Sequence, residues 1–183
     1  MNLENEKELV ERAKKDPKAF SEIYEFYYPK IFGYILKRVA NVEVAKDIVS
    51  ETFFKVLKNI EKFKWKGISF SSWLFKIASN EVVNFFRKGK CRPISLEKIS
   101  EPVSSSNPSQ EIIEAEEKLK MEKDFLILHE KIKKLPNIYQ DIIVLKFFEK
   151  KKGKEIAEIL GKKEGTVKSL VHRAIEKLRK MME

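Results

Sequence analysis

The sequence predicts an all-α protein of two small helical domains joined by a flexible linker, with a helix-turn-helix in the C-terminal domain. Apolar residues recur at helical spacing along most of the chain, whereas strand-like alternation is rare. Residues 91–110 (CRPISLEKISEPVSSSNPSQ) break this pattern, since Pro, Ser and Asn dominate them. The net charge is +7 over residues 1–93, −4 over 94–124 and +7 over 125–183. Two basic units suit a polyanion, although a merely soluble basic protein would share this charge.

Four helices are predicted before the linker, at about residues 3–15, 17–39, 42–61 and 69–88. Three of them have a side chain at their start that accepts hydrogen bonds from the free N–H groups of a first turn: Asp16, Asn41 and Ser69. Pro17 fits the first turn of the second helix, because its ring fixes a helical φ and a donor is not needed there.

Four further helices are predicted toward the C-terminus. Ser109 caps the first, which runs to about Lys134, and Leu135-Pro136 marks its boundary. The others are short, at about residues 137–149, 153–160 and 165–181.

The last two helices have the spacing of a helix-turn-helix, with Ala157, Gly161 and Val167 four and six residues apart. The small Ala allows close crossing, Gly takes the positive φ of the turn, and Val packs the second helix on the first. Further apolar side chains fill the core: Ile156, Leu160, Leu170, Val171, Ala174 and Leu178. Polar and basic groups lie opposite, as on a helix in the DNA major groove: Ser169, His172, Arg173 and Lys180. The alternative is an ordinary amphipathic surface helix.

The helix at 42–61 has one apolar face, formed by Ala45, Ile48, Val49, Thr52, Val56 and Ile60. Its opposite side carries Asp47, Glu51, Phe54 and Lys58. An outward Phe beside two carboxylates indicates a docking patch for a protein with apolar and basic groups. The alternative is a Phe that another helix of the chain buries.

The helix at 69–88 and the loop before it are rich in aromatic residues. Its apolar face is predicted to consist of Leu74, Phe75, Ala78, Val82, Phe85 and Phe86, with Trp73, Asn80, Asn84 and Arg87 on the other side. The loop adds three rings and three lysines: Phe63, Trp65, Phe70, Lys62, Lys64 and Lys66. Aromatic faces with interleaved cations suit single-stranded DNA, where bases stack and phosphates pair with lysines. The alternative is that the loop rings cover the domain's own core.

Several classes of function find no support in the sequence. Cys91 is the single cysteine, so neither an internal disulfide nor a cysteine zinc site is expected. Catalytic, metal-binding and phosphate-loop motifs are lacking, and we expect no enzyme activity, metal or cofactor. The longest apolar runs are too short for a bilayer, and the N-terminus lacks the apolar segment of a signal peptide. We therefore expect a cytoplasmic protein without membrane insertion.

The chain resembles bacterial RNA polymerase sigma factors of the extracytoplasmic-function (ECF) group. In the family's second conserved region the matching stretches are AFSEIYEFYYPKIFGYI, AKDIVSETFFKVLKNIEKF and SFSSWLFKIASNEVVNFFRK. In the fourth region they are LPNIYQDIIVLKFFE, EIAEILG and EGTVKSLVHRAIEKLR.

The resemblance implies a transcription initiation subunit with the domain order of that family: region 2 at residues 1–92, a linker at 93–112 and region 4 at 113–183. It implies docking on the β′ clamp helices of core polymerase through Asp47, Ser50, Glu51 and Phe54. It implies capture of an unstacked base of the −10 element by the loop at 62–73 and its supporting helix, through Phe63, Lys64, Trp65, Lys66, Phe70, Trp73, Lys76, Asn80 and Asn84. The −35 duplex would be read by Thr166, Lys168, Ser169, His172 and Arg173. Further implied partners are the β flap, promoter DNA and an anti-sigma factor on the Asp47–Phe54 face.

The sequence departs from the family at several positions. Ser50 stands where Gln is usual, Asn84 where Asp is usual and Leu170 where Arg is frequent. Residues 150–152 are lysines where the family tends to have Gly, an apolar residue and a Ser/Thr cap, and 162–163 are lysines where an apolar-Ser pair is common. These changes lose a cap worth about 1 kcal/mol and add cations near DNA. They bear on sequence preference rather than on the fold.

Two other functions are compatible with parts of the sequence. A stand-alone helix-turn-helix regulator would bind duplex DNA by itself, without use for an aromatic loop. A sigma-like decoy would bind only an anti-sigma factor, and it would lose the basic and aromatic DNA contacts that this chain keeps.

Overall fold

The computed structural model describes residues 3–65, 68–89 and 127–182 of the chain, and regular structure within these ranges is helical. The helices are α1 Leu3–Ala13, α2 Pro17–Val39, α3 Val42–Asn59, α4 Phe70–Arg87, α5 (127–133), α6 Asn137–Ile143, α7 Gly153–Leu160 and α8 Glu164–Lys180. A 3₁₀ turn, Ile60–Lys62, extends α3, and a π-helical segment, Val144–Phe148, extends α6. The all-α prediction is confirmed. The predicted linker and the helix start at Ser109 lie outside the described residues.

The predicted caps form the expected hydrogen bonds. The Asp16 carboxylate accepts from the N–H of Lys18 at 2.9 Å, and the Asn41 amide oxygen accepts from the N–H of Val44 at 2.9 Å. The Ser69 hydroxyl accepts from the N–H of Ser72 at 3.0 Å. These bonds satisfy donors that a helix start leaves free, and they stabilise the starts of α2, α3 and α4 at the predicted positions.

The first four helices pack into one apolar core, in which α2 contacts α1, α3 and α4. The predicted inner face of α3 is buried, as are Leu74, Phe75, Ala78 and Val82 of α4. In the second unit α8 packs on α6 and α7, with Ile156, Val167 and Ala174 buried. The two units also touch, chiefly through α4 against α7 and α2 against the π-helical segment.

Candidate docking face and nucleic-acid interface

The outer side of α3 exposes the four side chains of the predicted docking face: Asp47, Ser50, Glu51 and Phe54. Half of the Phe54 surface is exposed, so no other described helix buries this ring. Because the opposite face of α3 forms core, the helix cannot rotate to hide it. Lys58 places its ammonium 4.3 Å from the centre of the Phe54 ring.

Two apolar side chains outside the predicted docking set, Tyr24 and Leu57, enlarge the exposed surface near this face. Leu57 lies three residues after Phe54, and therefore on the same side of α3, with half of its surface exposed. Tyr24 of α2 is partly exposed and contacts the buried Phe53 ring at a centroid distance of 4.7 Å. The exposure of Leu57 could have been predicted from its helical spacing to Phe54. The position of Tyr24 near this face could not, because it depends on how α2 packs against α3.

The carboxylate of Glu51 remains available for a partner. Its ion pair with Lys55 is long, at 3.5 Å, while Lys55 lies 2.7 Å from Glu81. The hydrogen bond with Glu81 is the main reason that the pKa of Lys55 is raised, so this lysine stays charged. Exposed pairs of this kind contribute little energy, and a cation of a docking partner can replace Lys55 at low cost.

The packing of the loop shows that two residues predicted to contact single-stranded DNA, Phe63 and Phe70, are core residues instead. Phe63 is 5% exposed and Phe70 is fully buried, so both rings belong to the core. Phe63 lies between its neighbours, with ring centres 5.1 Å from Trp65, 5.4 Å from Phe70 and 5.0 Å from Trp73. Because these two rings are buried, a base cannot stack on them. They instead pack against the tryptophans, Phe63 against Trp65 and Trp73, and Phe70 against Trp73.

Trp65 and Trp73 remain half-buried at the surface, and Lys64 is exposed. The indole N–H of Trp65 donates to the Glu11 carboxylate of α1 at 3.2 Å, which ties the loop to the first helix. Lys66 lies outside the described residues.

A cleft of about 340 Å³ opens beside Trp73, between the end of α3 and the middle of α4. Its lining brings Phe63, Trp73 and Asn80 of the predicted set together with Lys55, Asn59, Lys62 and Glu81, and Glu81 pairs with Lys55 at 2.7 Å. This combination offers a ring face, amide groups and cations within one concave site. Lys55 and Asn59 were not predicted, because their contribution depends on the angle at which α3 meets α4.

The two remaining residues of that set lie outside the lining of this cleft. Asn84 donates to Glu81 at 3.3 Å and accepts from Arg87 at 3.1 Å, so its amide takes part in local pairs. Lys76 is exposed next to the turn between α7 and α8, where its ammonium would lie 4.0 Å from a Cβ on Gly161.

Residues 153–180 form the helix-turn-helix. Gly161 has φ +61°, the left-handed conformation that the spacing predicted for the turn. The N–H of Lys162 donates to the Ala157 carbonyl at 2.9 Å, which closes α7. Ala157 and Val167 are buried between α7 and α8, and Leu170 packs against the same core.

The outer side of α8 exposes four of the five predicted duplex contacts: Thr166, Lys168, His172 and Arg173. Ser169 is half-buried, and its hydroxyl donates to the Thr166 carbonyl at 2.9 Å. The Ser169 oxygen retains its acceptor capacity for a base edge. Basic side chains in the last turn, among them Lys177 and Lys180, extend the positive surface.

Within residues 3–65, 68–89 and 127–182, His, Cys, Asp and Glu side chains form no group of three that could hold a metal ion. None of the helices in these ranges combines the length and apolarity that crossing a bilayer requires.

Comparisons with known proteins define the class. The family model for Sigma-70 region 2 matches residues 23–91, and that for Sigma-70 region 4 matches residues 125–178. The chain is 31% identical to the ECF RNA polymerase sigma factor SigW of Bacillus subtilis, over 100% of this chain and 98% of that protein. It is 30% identical to the ECF sigma factor BldN of Streptomyces coelicolor, over 96% of this chain and 65% of BldN's length.

Solved structures share the fold at lower identity. CnrH, in complex with the cytosolic domain of CnrY, aligns with a TM-score of 0.71 at 17% identity, over 97% of this chain and 96% of that one. The sigma factor RpoE, in complex with the anti-sigma factor NepR from Bartonella quintana, aligns with a TM-score of 0.63 at 21% identity, over 90% and 97%. The family models and the identity with SigW show that the chain belongs to the ECF RNA polymerase sigma factors, a family of promoter-directing subunits.

Proposed function

We propose that this chain is a dissociable initiation subunit that docks on core RNA polymerase through the outer side of α3 and has no catalytic activity of its own. The observation that carries the proposal is Phe54, half exposed beside Asp47 and Glu51 on a helix whose other face is core. A partner with apolar and basic groups would bury the exposed ring and pair with the two carboxylates, and both interactions favour binding. Such a surface fits the β′ clamp helices, and action on polymerase places the protein in the cytoplasm.

The two basic units divide the promoter between them. Residues 1–92 form the unit for the −10 element, 93–112 the linker, and 113–183 the unit for the −35 element, which also contacts the β flap. On α8, Thr166 and Ser169 contact base edges, while Lys168, His172 and Arg173 bind phosphates and bases.

The cleft beside Trp73 holds an unstacked base of the −10 strand. Trp73 supplies a stacking surface, Asn80 supplies amide donors and acceptors, and Lys62 neutralises a phosphate at the rim, whereas Lys55 is paired with Glu81. Trp65, Lys64, Lys76 and Asn84 contact the strand on either side of the cleft. Lys66, which lies outside the described residues, is assigned to the same strand by the resemblance to the family. Capture of an already unstacked base shifts the duplex toward the melted state.

The same α3 face is the target of an anti-sigma factor. Two proteins of the same fold, CnrH and RpoE, are complexed in their structures with CnrY and the anti-sigma factor NepR respectively. An inhibitor that covers Phe54 and its carboxylates competes directly with polymerase. Absence of any inhibitor that displaces the protein from core polymerase would count against this part of the proposal.

The test is co-elution of the intact chain with purified core RNA polymerase at moderate salt. We expect one-to-one binding for the natural sequence and its loss in Glu51→Ala plus Phe54→Ala. The matched control is Glu25→Ala plus Val42→Ala, which also removes an exposed acid and an exposed apolar side chain, away from the docking face. Binding to duplex DNA without any binding to polymerase would replace the proposal by a stand-alone regulator.

A further inference from the structure

Beside the packing of α4 on α7, the contact between the two units has a polar centre, one buried carboxylate that binds both α2 and α4. Asp141 of α6 accepts a hydrogen bond from the Tyr34 hydroxyl at 2.9 Å and one from Arg38 Nε at 2.7 Å, both on α2. It accepts a third from the Ser79 hydroxyl of α4 at 3.0 Å. The side chains of Arg38 and Asp141 are 0% and 4% exposed. Burial raises the pKa of Tyr34, so this hydroxyl stays protonated and donates.

The residue before this carboxylate supports the same contact. The Gln140 side-chain oxygen accepts from Arg38 Nη1, while its amide nitrogen donates to the carbonyls of Lys133 and Leu135 at 3.1 and 2.7 Å. Gln140 is therefore held by its own unit in the position that meets Arg38.

Two polar contacts lie around this centre. Lys37 of α2 pairs with Glu149 at 2.9 Å. Lys151 donates to the Ser71 hydroxyl at 3.0 Å, with its ammonium 4.5 Å from the centre of the Phe75 ring. Like the hydrogen bonds of Asp141, these two contacts join the part matched by region 2 to the part matched by region 4.

The polar centre makes the contact specific and lowers the cost of separating it. Misaligned arrangements would leave Arg38 or Asp141 buried without a partner, which is costly. Complete separation returns both charges to water, and this hydration offsets much of the attraction that is lost. An apolar contact of equal area would lack this compensation.

The joined arrangement is incompatible with simultaneous reading of two distant promoter elements. It holds the turn at Gly161 against Lys76 of α4. The −35 and −10 elements are about 25 base pairs apart, or roughly 85 Å along B-form DNA. A compact chain of this length has a radius of gyration of only about 16 Å.

We propose that Asp141, with Tyr34, Arg38, Ser79 and Gln140, forms an interdomain latch that holds the free protein closed and must release before both promoter elements can be bound. The closed state itself is independent of the proposed function, whereas the release step rests on it. Since only the released form binds productively, weakening the latch tenfold raises the apparent affinity for core polymerase by up to about tenfold.

The test measures the distance between two spin labels in the free full-length chain by pulsed electron double resonance. Cys91 is replaced by Ser, and labels are placed at Lys18→Cys of α2 and Lys177→Cys of α8, both exposed. We expect one narrow distance in the natural background. Asp141→Asn is expected to add a long, broad component, and Glu149→Gln a smaller one.

Glu149→Gln keeps the test valid if Asp141→Asn does not fold, because it removes a peripheral pair without leaving a charge fully buried. Glu25→Gln, an exposed change on α2, is the control and should leave the distance unaltered. A broad distribution in the natural background, or an unchanged narrow one in both latch variants, would overturn the latch. If the latch variants separate the labels but the natural chain does not co-elute with core polymerase, the latch would stand and the proposed function would be rejected.

Discussion

Lys150 has a left-handed backbone, with φ +52°, a conformation that favours glycine. The left-handed conformation costs an L-residue about 1–2 kcal/mol, because Cβ approaches the following carbonyl oxygen. Glycine avoids this contact but loses about 0.4–1 kcal/mol more backbone entropy on folding. The Lys150 side chain is exposed, so its removal should cost little packing. Lys150→Gly is therefore expected to raise the free energy of unfolding by about 0.5–1 kcal/mol.

The assay is thermal unfolding followed by circular dichroism at 222 nm. For a chain of this size, 1 kcal/mol shifts Tm by about 2–4 °C, so the expected increase is roughly 1–4 °C. Ala40→Gly tests the same reasoning at a second left-handed residue, with φ +49° at the end of α2, and should also raise Tm.

The matched control is Lys154→Gly, which changes an exposed lysine within α7. There the backbone is helical, and glycine should lower the free energy of unfolding by about 0.5–1 kcal/mol. A fall in Tm for Lys150→Gly similar to that of Lys154→Gly would refute the reasoning, since it would mean that residue 150 is not left-handed in solution.

Three further predictions concern pH, helix capping and strand binding. Burial lowers the pKa of His129 below its ordinary value of 6.5, against a hydrogen bond to the Arg38 backbone and the charge of Glu130. The folded state thus binds its proton less readily than the unfolded chain, so stability is full above about pH 6.5 and falls as pH drops toward the folded pKa. His129→Gln should flatten Tm against pH in that window, and an equally steep curve in the variant would assign the acid sensitivity elsewhere. Lys152 precedes α7, and its N–H already donates to Glu155 at 2.8 Å, but an ammonium cannot accept the reciprocal bond. Lys152→Ser should complete the capping box and add about 1 kcal/mol to the free energy of unfolding measured with urea, and an unchanged midpoint would contradict this. Trp73→Ala should weaken binding of a −10 single strand to the holoenzyme by about 1–3 kcal/mol in fluorescence anisotropy, with −35 duplex binding unchanged, whereas equal loss of both would indicate misfolding.

Local patterns in the sequence predicted the helices well. Asp16, Asn41 and Ser69 mark helix starts through bonds within their own first turns, and Gly161 fixes a turn through its own φ. Such features depend only on neighbouring residues in the chain, so they can be predicted without the tertiary structure. The exposure of Phe54 was also predictable, because the other face of α3 is apolar throughout.

Contacts between distant segments were not predictable in the same way. Phe63 and Phe70 resemble Trp65 and Trp73 in the sequence, and only the packing of α4 against the loop makes the first two core and leaves the second two at the surface. Asp141 stands as a single acid before an apolar run, and nothing near it in the chain indicates that Arg38, 103 residues earlier, is its partner.

The π-helical segment Val144–Phe148 has a consequence for how this contact can evolve. The N–H of Glu149 donates to the Val144 carbonyl at 2.9 Å, five residues earlier, so the segment holds one more residue per hydrogen-bonded turn than an α-helix. Asp141 precedes it and Lys151 follows it, and both contact the first four helices. Deleting one residue would restore α-helical bonding but rotate everything after the segment by about 100° relative to α6. The insertion or deletion of one residue here would therefore rotate Lys151 relative to Asp141 about the helix axis. Both side chains would remain, but they could no longer contact the first four helices at the same time.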